Sequence, residues 1–92
     1  MEIKQNDNTD KGMFYIEQDG SIVAKMTYTW AGTDRIIIEH TEVDEILKGT
    51  GAGKQMVSKA VEFAREKGIK IIPLCSFTKS VISRVPEFQD VL

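Results

Sequence analysis

Three glycines alternate at positions 49, 51 and 53, and the chain changes character across them. Before them, apolar residues recur at every second position, the period of a strand. After them, apolar residues recur at the spacing of a helix face. Both halves share ninety-two residues, which is room for one core and not two. A single α/β domain over residues 1–92 is therefore expected. The composition, 41% hydrophobic and 28% charged, suits a packed globule and not a disordered chain.

The first half reads as an antiparallel meander. A short edge strand around residues 2–4 and a polar loop at 5–12 (QNDNTDKG) occupy positions 1–12. Residues 13–18 are the next strand, and Asp19-Gly20 is a strong hairpin signal. In the following run Ile22, Ala24, Met26, Tyr28 and Trp30 share one face. That stripe reads as core packing or as one wall of a binding site. After a turn at Gly32 and Asp34, residues 35–43 form a strand. Ile36, Ile38, His40 and Glu42 are expected on one of its faces, Ile37, Glu39, Thr41 and Val43 on the other.

The second half begins with a helix after Gly53. Met56, Val57, Ala60, Val61 and Ala64 form its apolar stripe. Arg65 and Lys67 sit in its last turn, where cations complement the helix dipole, and Gly68 suits the position that ends it. Residues 69–74 form a short strand weakened by Pro73. Ser76 caps a helix that runs to about residue 84. Val85-Pro86 breaks that helix, and Pro86 opens a final helical turn. A strand–helix–strand crossover sets 69–74 parallel to 35–43 in one mixed, mostly antiparallel sheet.

Charge also switches at the glycine turn. Residues 1–47 hold four Lys/Arg against ten Asp/Glu, and residues 48–92 hold eight against four. A basic half that opens on a glycine turn suits a phosphorylated ligand, although a solvated cationic helix face gives the same pattern. The net charge of −2 and the lack of basic–aromatic interleaving argue against nucleic acid. Cys75 is the only cysteine, which fits a reducing compartment. No apolar run reaches the ~18 residues of a membrane span, and positions 1–12 lack a signal-peptide core. The expectation is a cytoplasmic chain without a membrane partner, a monomer or a weak dimer.

Glycine tolerates positive φ and lets a ligand approach the backbone closely. The first amides of the following helix have no internal partner and point outward, so they form an anion site with the helix dipole. Lys48 and Lys54 flank it. Two familiar phosphate patterns fail here. The nucleotide P-loop needs Gly at 48 and Ser or Thr at 55, where this chain has Lys48 and Gln55. The dinucleotide pattern needs Gly at 54, which is Lys54.

The stretch Lys48-Gly49-Thr50-Gly51-Ala52-Gly53 resembles the [RQ]-x-x-G-x-[GA] motif of the GNAT superfamily of acetyltransferases, with Lys48 in place of Arg or Gln. The flanks resemble the small stand-alone members: His40-Thr41-Glu42-Val43 before the turn, Pro73-Leu74-Cys75-Ser76-Phe77 after the next strand, and Arg84-Val85-Pro86-Glu87-Phe88-Gln89-Asp90-Val91 at the end. Val85 departs from the pattern, which has His there. The resemblance covers about residues 13–92.

This resemblance implies acetyl-CoA as co-substrate. The strands on either side of the first helix would splay around the acyl arm. The amide of Val43 would polarise the thioester. Backbone groups of Lys48, Gly49, Thr50, Gly51, Ala52, Gly53 and Lys54 would hold the pyrophosphate. An amine acceptor (a protein lysine, a polyamine or another small amine) would take the acetyl group. Cys75 is the sharpest catalytic candidate, as nucleophile, as acid for the leaving thiolate, or as partner in a mixed disulfide with coenzyme A; a buried small hydrophobe is the plain alternative. His40 and Glu42 are candidate bases, expected on a face shared with Ile36 and Ile38 where burial would raise a carboxylate pKa. Superfamily members often carry a tyrosine acid on the last helix, where this chain has Ser80 and Ser83. They also carry extra helices before the meander, so a truncated, open acceptor side is expected. No His, Cys, Asp or Glu cluster has metal-ligand spacing. A coenzyme A-binding module without catalysis, or an interaction domain, would share most of these features.

Overall fold

The strands follow one another in space as they do in sequence, because each is joined to the next by a short turn until the long helix intervenes. The computed structural model describes residues 2–92. Its five strands are β1 (Lys4–Asp7), β2 (Lys11–Gln18), β3 (Ser21–Trp30), β4 (Arg35–Val43) and β5 (Lys70–Pro73), in the order 1-2-3-4-5. β1 to β4 are antiparallel neighbours, and β5 joins β4 in parallel. Helix α1 (Ala52–Lys67) crosses between β4 and β5, and α2 (Ser76–Arg84) follows β5. Short 3-10 turns occupy Glu45–Leu47 and Pro86–Val91.

Local chemistry explains most of these boundaries. Gln18 pairs with Ser21 across Asp19 and Gly20, whose φ values are 50° and 79°. Two residues with positive φ give the tight hairpin turn whose twist matches the strands. α1 buries Met56, Val57, Ala60, Val61 and Ala64 along its apolar stripe, and Ala52 and Gly53 with them. It ends at Gly68, φ 68°, whose amide reaches back to the carbonyls of Ala64 and Arg65. Arg65 goes beyond its expected role at the helix end: its guanidinium grips both Asp90 carboxylate oxygens, at 2.9 and 2.8 Å. That pair pins the last turn against α1 and holds the Asp90 carboxyl below its ordinary range.

Three expectations need correction. The polar segment at 5–12 is not all loop. Lys4–Asp7 forms the edge strand, pairing Lys4 with Tyr15 and Asp7 with Gly12. An edge strand needs backbone pairing on one side only, so apolar residues are not required, and polar ones discourage further pairing. Its side chains are anchored inward: Gln5 donates to the Tyr28 hydroxyl at 2.9 Å, Tyr28 donates to Asp7, and the Trp30 indole donates to Asp7 at 3.0 Å.

The second correction is at Ile22, which is exposed. The β2–β3 register slips between Ile16 and Glu17, so Ile22 pairs with outward-facing Glu17 and the buried stripe starts at Ala24. A bulge inserts one unpaired residue and turns the strand beyond it to the other face.

The third lies in β4 and matters most. Tyr28 pairs with Ile38 but Thr27 pairs with His40, leaving Glu39 as the extra residue. Ile36 and Ile38 are buried, yet His40 and Glu42 are exposed, while Thr41 and Val43 are half-buried. The expected shared face of Ile36, Ile38, His40 and Glu42 is therefore broken at Glu39.

The core lies between the sheet and the two helices. Phe14, Met26, Tyr28, Ile36 and Ile38 meet Met56, Val57, Val61 and Ile82. Phe14, Tyr28, Trp30 and Phe63 make a tilted and edge-to-face aromatic cluster. Gly12 leaves room for it. A Cβ there would stand 2.5 Å from Tyr28 Cζ and 2.6 Å from the Asn6 carbonyl oxygen. We predict that Gly12→Ala lowers unfolding free energy by ~1–3 kcal/mol through overpacking, measured by urea denaturation. An unchanged midpoint would mean that β1 is not held against Tyr28. No helix among the described residues is long and apolar enough to cross a membrane.

Candidate functional site

β4 and β5 run together for four residue pairs, Arg35–Lys70 to Ile38–Pro73, and then part. At the parting, the amides of Leu74 and Cys75 both donate to the Ile38 carbonyl, each at 3.0 Å. Pro73 has no amide to extend the ladder, and the chain turns away into α2. β4 continues alone from Glu39 to Val43. A fork opens between the two strands, with α2 beginning at its inner end.

Cys75 is the residue that caps α2, with extended backbone (φ −68°, ψ 123°). Ser76, expected in that role, is the first helical residue instead. The Cys75 thiol faces Thr41 across the fork, Sγ to Oγ1 3.4 Å. The β4 bulge is what turns Thr41 toward it. Burial pushes the Cys75 thiol up, but the polar groups of Thr41, Thr78 and Phe77 around the sulfur favour its ionised form and outweigh burial, so the thiol lies below its ordinary value.

Below the fork sits the glycine turn. Asp44 caps the 3-10 turn by accepting from the Ile46 amide at 3.1 Å. The Thr50 amide and hydroxyl both bond the Leu47 carbonyl, at 3.1 Å for the amide and 2.5 Å for the hydroxyl. Gly49 and Gly51 both have φ 81°. No atom crowds a Cβ at either position, so their glycine is required by backbone conformation and not by space. α1 starts at Ala52, inside the turn and before its expected start after Gly53; the Gln55 amide makes its first bond, to Gly51 at 3.0 Å. The amides of Ala52, Gly53 and Lys54 precede that bond and have no partner within the helix.

These amides border a groove of about 480 Å³. Val43, Leu47, Lys48, Gly49, Gly51, Ala52, Gly53 and Lys54 form one side. Phe77, Val81, Arg84 and Val85 of α2 and its end form the other. Gly53 is glycine for a different reason, that the Phe77 ring packs directly on it: a Cβ would lie 2.5 Å from Phe77 Cζ. Lys48 is paired with Glu45 at 2.8 Å, and Lys54 is exposed at the rim.

The structure thus brings Val43, Lys48, Gly49, Gly51, Ala52, Gly53 and Lys54 around one groove. Thr50 serves the turn itself. Cys75 lies two residues before the groove wall at Phe77. His40 and Glu42 do not join them. They stand on the other, solvent-exposed face of β4, with His40 Nε2 3.0 Å from Glu42 Oε1 and Lys25 Nζ 3.8 Å from Glu42 Oε2. The His40 hydrogen bond, then Lys25, holds the Glu42 carboxyl below its usual range, opposite to the rise expected from burial. Tyr28 is core: burial, then the bond to Asp7, raises its hydroxyl well above the ordinary range. The Ser83 hydroxyl bonds back to the Ser80 carbonyl at 3.0 Å.

Sequence reasoning assigned no role to the groove wall on α2. Its signal was present: Phe77, Val81 and Val85 fall at a spacing of four, one face of a helix.

The sequence matches the GCN5-related N-acetyl-transferase family over residues 13–91, and the chain belongs to that family. It is an enzyme of the N-acetyltransferase class. A GCN5-like protein of Staphylococcus aureus, solved by NMR, is 40% identical over 98% of this chain and 85% of its own, with a TM-score of 0.76. The ribosomal-protein-alanine N-acetyltransferase of Brucella melitensis shares the fold at 14% identity and TM-score 0.67, over 85% of this chain and 62% of that one. A GNAT family acetyltransferase of Elizabethkingia anophelis, solved with acetyl-CoA bound, does so at 15% and 0.63, over 83% of this chain and 52% of its own. The chain thus spans little more than half of those two enzymes. No curated protein matches it.

Proposed function

We propose that the 92 residues act as one acetyl-CoA-dependent N-acetyltransferase domain, with the coenzyme in the groove and its thioester in the fork. The observation that carries this reading is the continuity of the three parts. Unpaired helix amides at Ala52 to Lys54 suit a pyrophosphate. The apolar wall of Phe77 and Val81 suits a pantetheine arm. Val43 and Cys75 flank the place where the arm would end.

In this reading the Cys75 thiolate attacks the thioester carbonyl. The Val43 amide stabilises the oxyanion. The carbon–sulfur bond to coenzyme A breaks, and the coenzyme leaves as a thiolate that takes up a proton. The acetyl group then rests on Cys75. An amine attacks that thioester and gives up its proton to water at the open face, since His40 and Glu42 lie on the far side of β4, and the Cys75 thiolate returns. The acceptor is an amine that reaches an open face: a protein lysine, a polyamine or another small amine. A lone free thiol suits a reducing compartment, the cytoplasm, and a monomer or weak dimer suffices.

Release of free thiol from acetyl-CoA across a panel of amines tests the reading. Amine-dependent release supports it; coenzyme binding without release from any amine refutes transfer. A narrower prediction concerns Gly51. Its φ of 81° is strained for a branched residue by ~1–3 kcal/mol. Gly51→Val is expected to turn the amides of the first helical turn away from the groove and weaken coenzyme A binding about tenfold or more, measured by calorimetry under conditions where circular dichroism shows the fold intact. Equal affinity would remove the turn from the binding site.

A further inference from the structure

Thr78 is completely buried, and its hydroxyl makes no hydrogen bond among the described residues. An unpaired buried hydroxyl is destabilising, and valine would fill the same space without that cost. Its position supplies a reason for it. Thr78 is the third residue of α2 and Cys75 is the residue that caps it. The side chain of a capping residue stands beside the donors of the second and third helical residues, here Phe77 and Thr78, yet the Cys75 side chain makes no capping bond to them in this state.

A protonated thiol uses this surrounding poorly. It gives its one hydrogen to Thr41 Oγ1 at 3.4 Å and leaves the Thr78 hydroxyl without a good acceptor. A thiolate is an acceptor only. Thr41 can then reverse its hydroxyl and donate, Thr78 gains the partner it lacks, and the helix amides point at a negative charge.

We propose that Thr78 is a positioning residue whose buried, unpaired hydroxyl donates to the Cys75 sulfur when that sulfur is a thiolate and so favours that form. The combined effect of Thr41, Thr78 and Phe77 on the thiol, which overcomes burial, is in the same direction. Charged groups on the neighbouring elements do not explain it. On β4, His40 and Glu42 turn to the opposite face. On α2, Lys79 is exposed, as are Arg84 at its end and Lys54 on α1. The tuning belongs to the free protein; only its use in acetyl transfer rests on the proposed function.

The test is the pH dependence of Cys75 alkylation by iodoacetamide, without coenzyme A, in the wild type, Thr78→Val and Thr78→Ser. Thr78→Val is expected to move the midpoint upward and to slow alkylation at pH 7 roughly threefold to tenfold, one pKa unit being a tenfold change in thiolate. Thr78→Ser keeps the hydroxyl and is expected to restore most of the rate. Thr78→Ala also lacks the hydroxyl and must shift the same way, which covers a failure of the valine variant to fold. A second readout follows by linkage. The folded thiol lies below its unfolded value of 9.0. Stability therefore rises with pH between the folded and unfolded values, and is lost as pH falls through the folded one. Thr78→Val should flatten that rise. An unchanged midpoint, or a shift that serine fails to reverse, overturns the proposal. A failure of coenzyme A to bind leaves this test intact, so the two readings fail separately.

Discussion

Cys75→Ala is expected to bind acetyl-CoA about as well as the wild type and to transfer its acetyl group at least about a hundredfold more slowly. Binding should survive because Cys75 is not part of the groove: the walls are the glycine turn and the face of Phe77, Val81 and Val85. Transfer should not, because in the proposed mechanism the acetyl group rests on that sulfur. Alanine fits the half-buried site, and the amide of Cys75, which holds the fork through the Ile38 carbonyl at 3.0 Å, is retained. Steady-state thiol release with an active acceptor, beside a calorimetric titration of coenzyme A, separates the two effects. Unchanged turnover would remove Cys75 from the mechanism and leave direct attack by the amine on the bound thioester. Loss of binding would mean that the sulfur holds the coenzyme and does not act upon it.

The largest effect on the fold is expected at Ile38, which is fully buried on β4 at the last pair before the fork. Ile38→Ala removes buried methyl and methylene groups from a packed core, a loss of ~2–5 kcal/mol. Small domains have stabilities near the low end of ~5–15 kcal/mol, so a third or more of the total is at stake. The urea midpoint should fall accordingly at an unchanged slope. The same variant should loosen the alignment of Thr41 with Cys75, because Ile38 is where β4 and the head of α2 are joined. A loss under about 1 kcal/mol would contradict the placement of the fork in the rigid core.

Much of this architecture was legible from residues alone because it depends on neighbours in sequence. The stripe from Met56 to Ala64 needs only helical spacing, the Asp19-Gly20 hairpin needs only two positive φ values, and Gly49 and Gly51 announce a turn that other residues avoid. What failed depends on a partner strand. Nothing near Glu39 shows that β4 gains a residue against β3, since a bulge is a property of the pair; yet that one residue sends Thr41 to Cys75 and His40 and Glu42 to solvent. β1 was obscured for a related reason, because its polar residues are fixed by Tyr28 and Trp30, more than twenty positions away. Thr78 carries no sequence signal either; only its complete burial without a partner draws attention to it.

The central claim, that the glycine turn holds a coenzyme A pyrophosphate, is tested most directly by mapping backbone amide shifts during titration with coenzyme A. The account predicts that the amides from Gly49 to Lys54 move first and furthest, with Val43 and Phe77 following along the groove and β1 unchanged. Saturation with the coenzyme while Gly49 to Lys54 stay in place would contradict it.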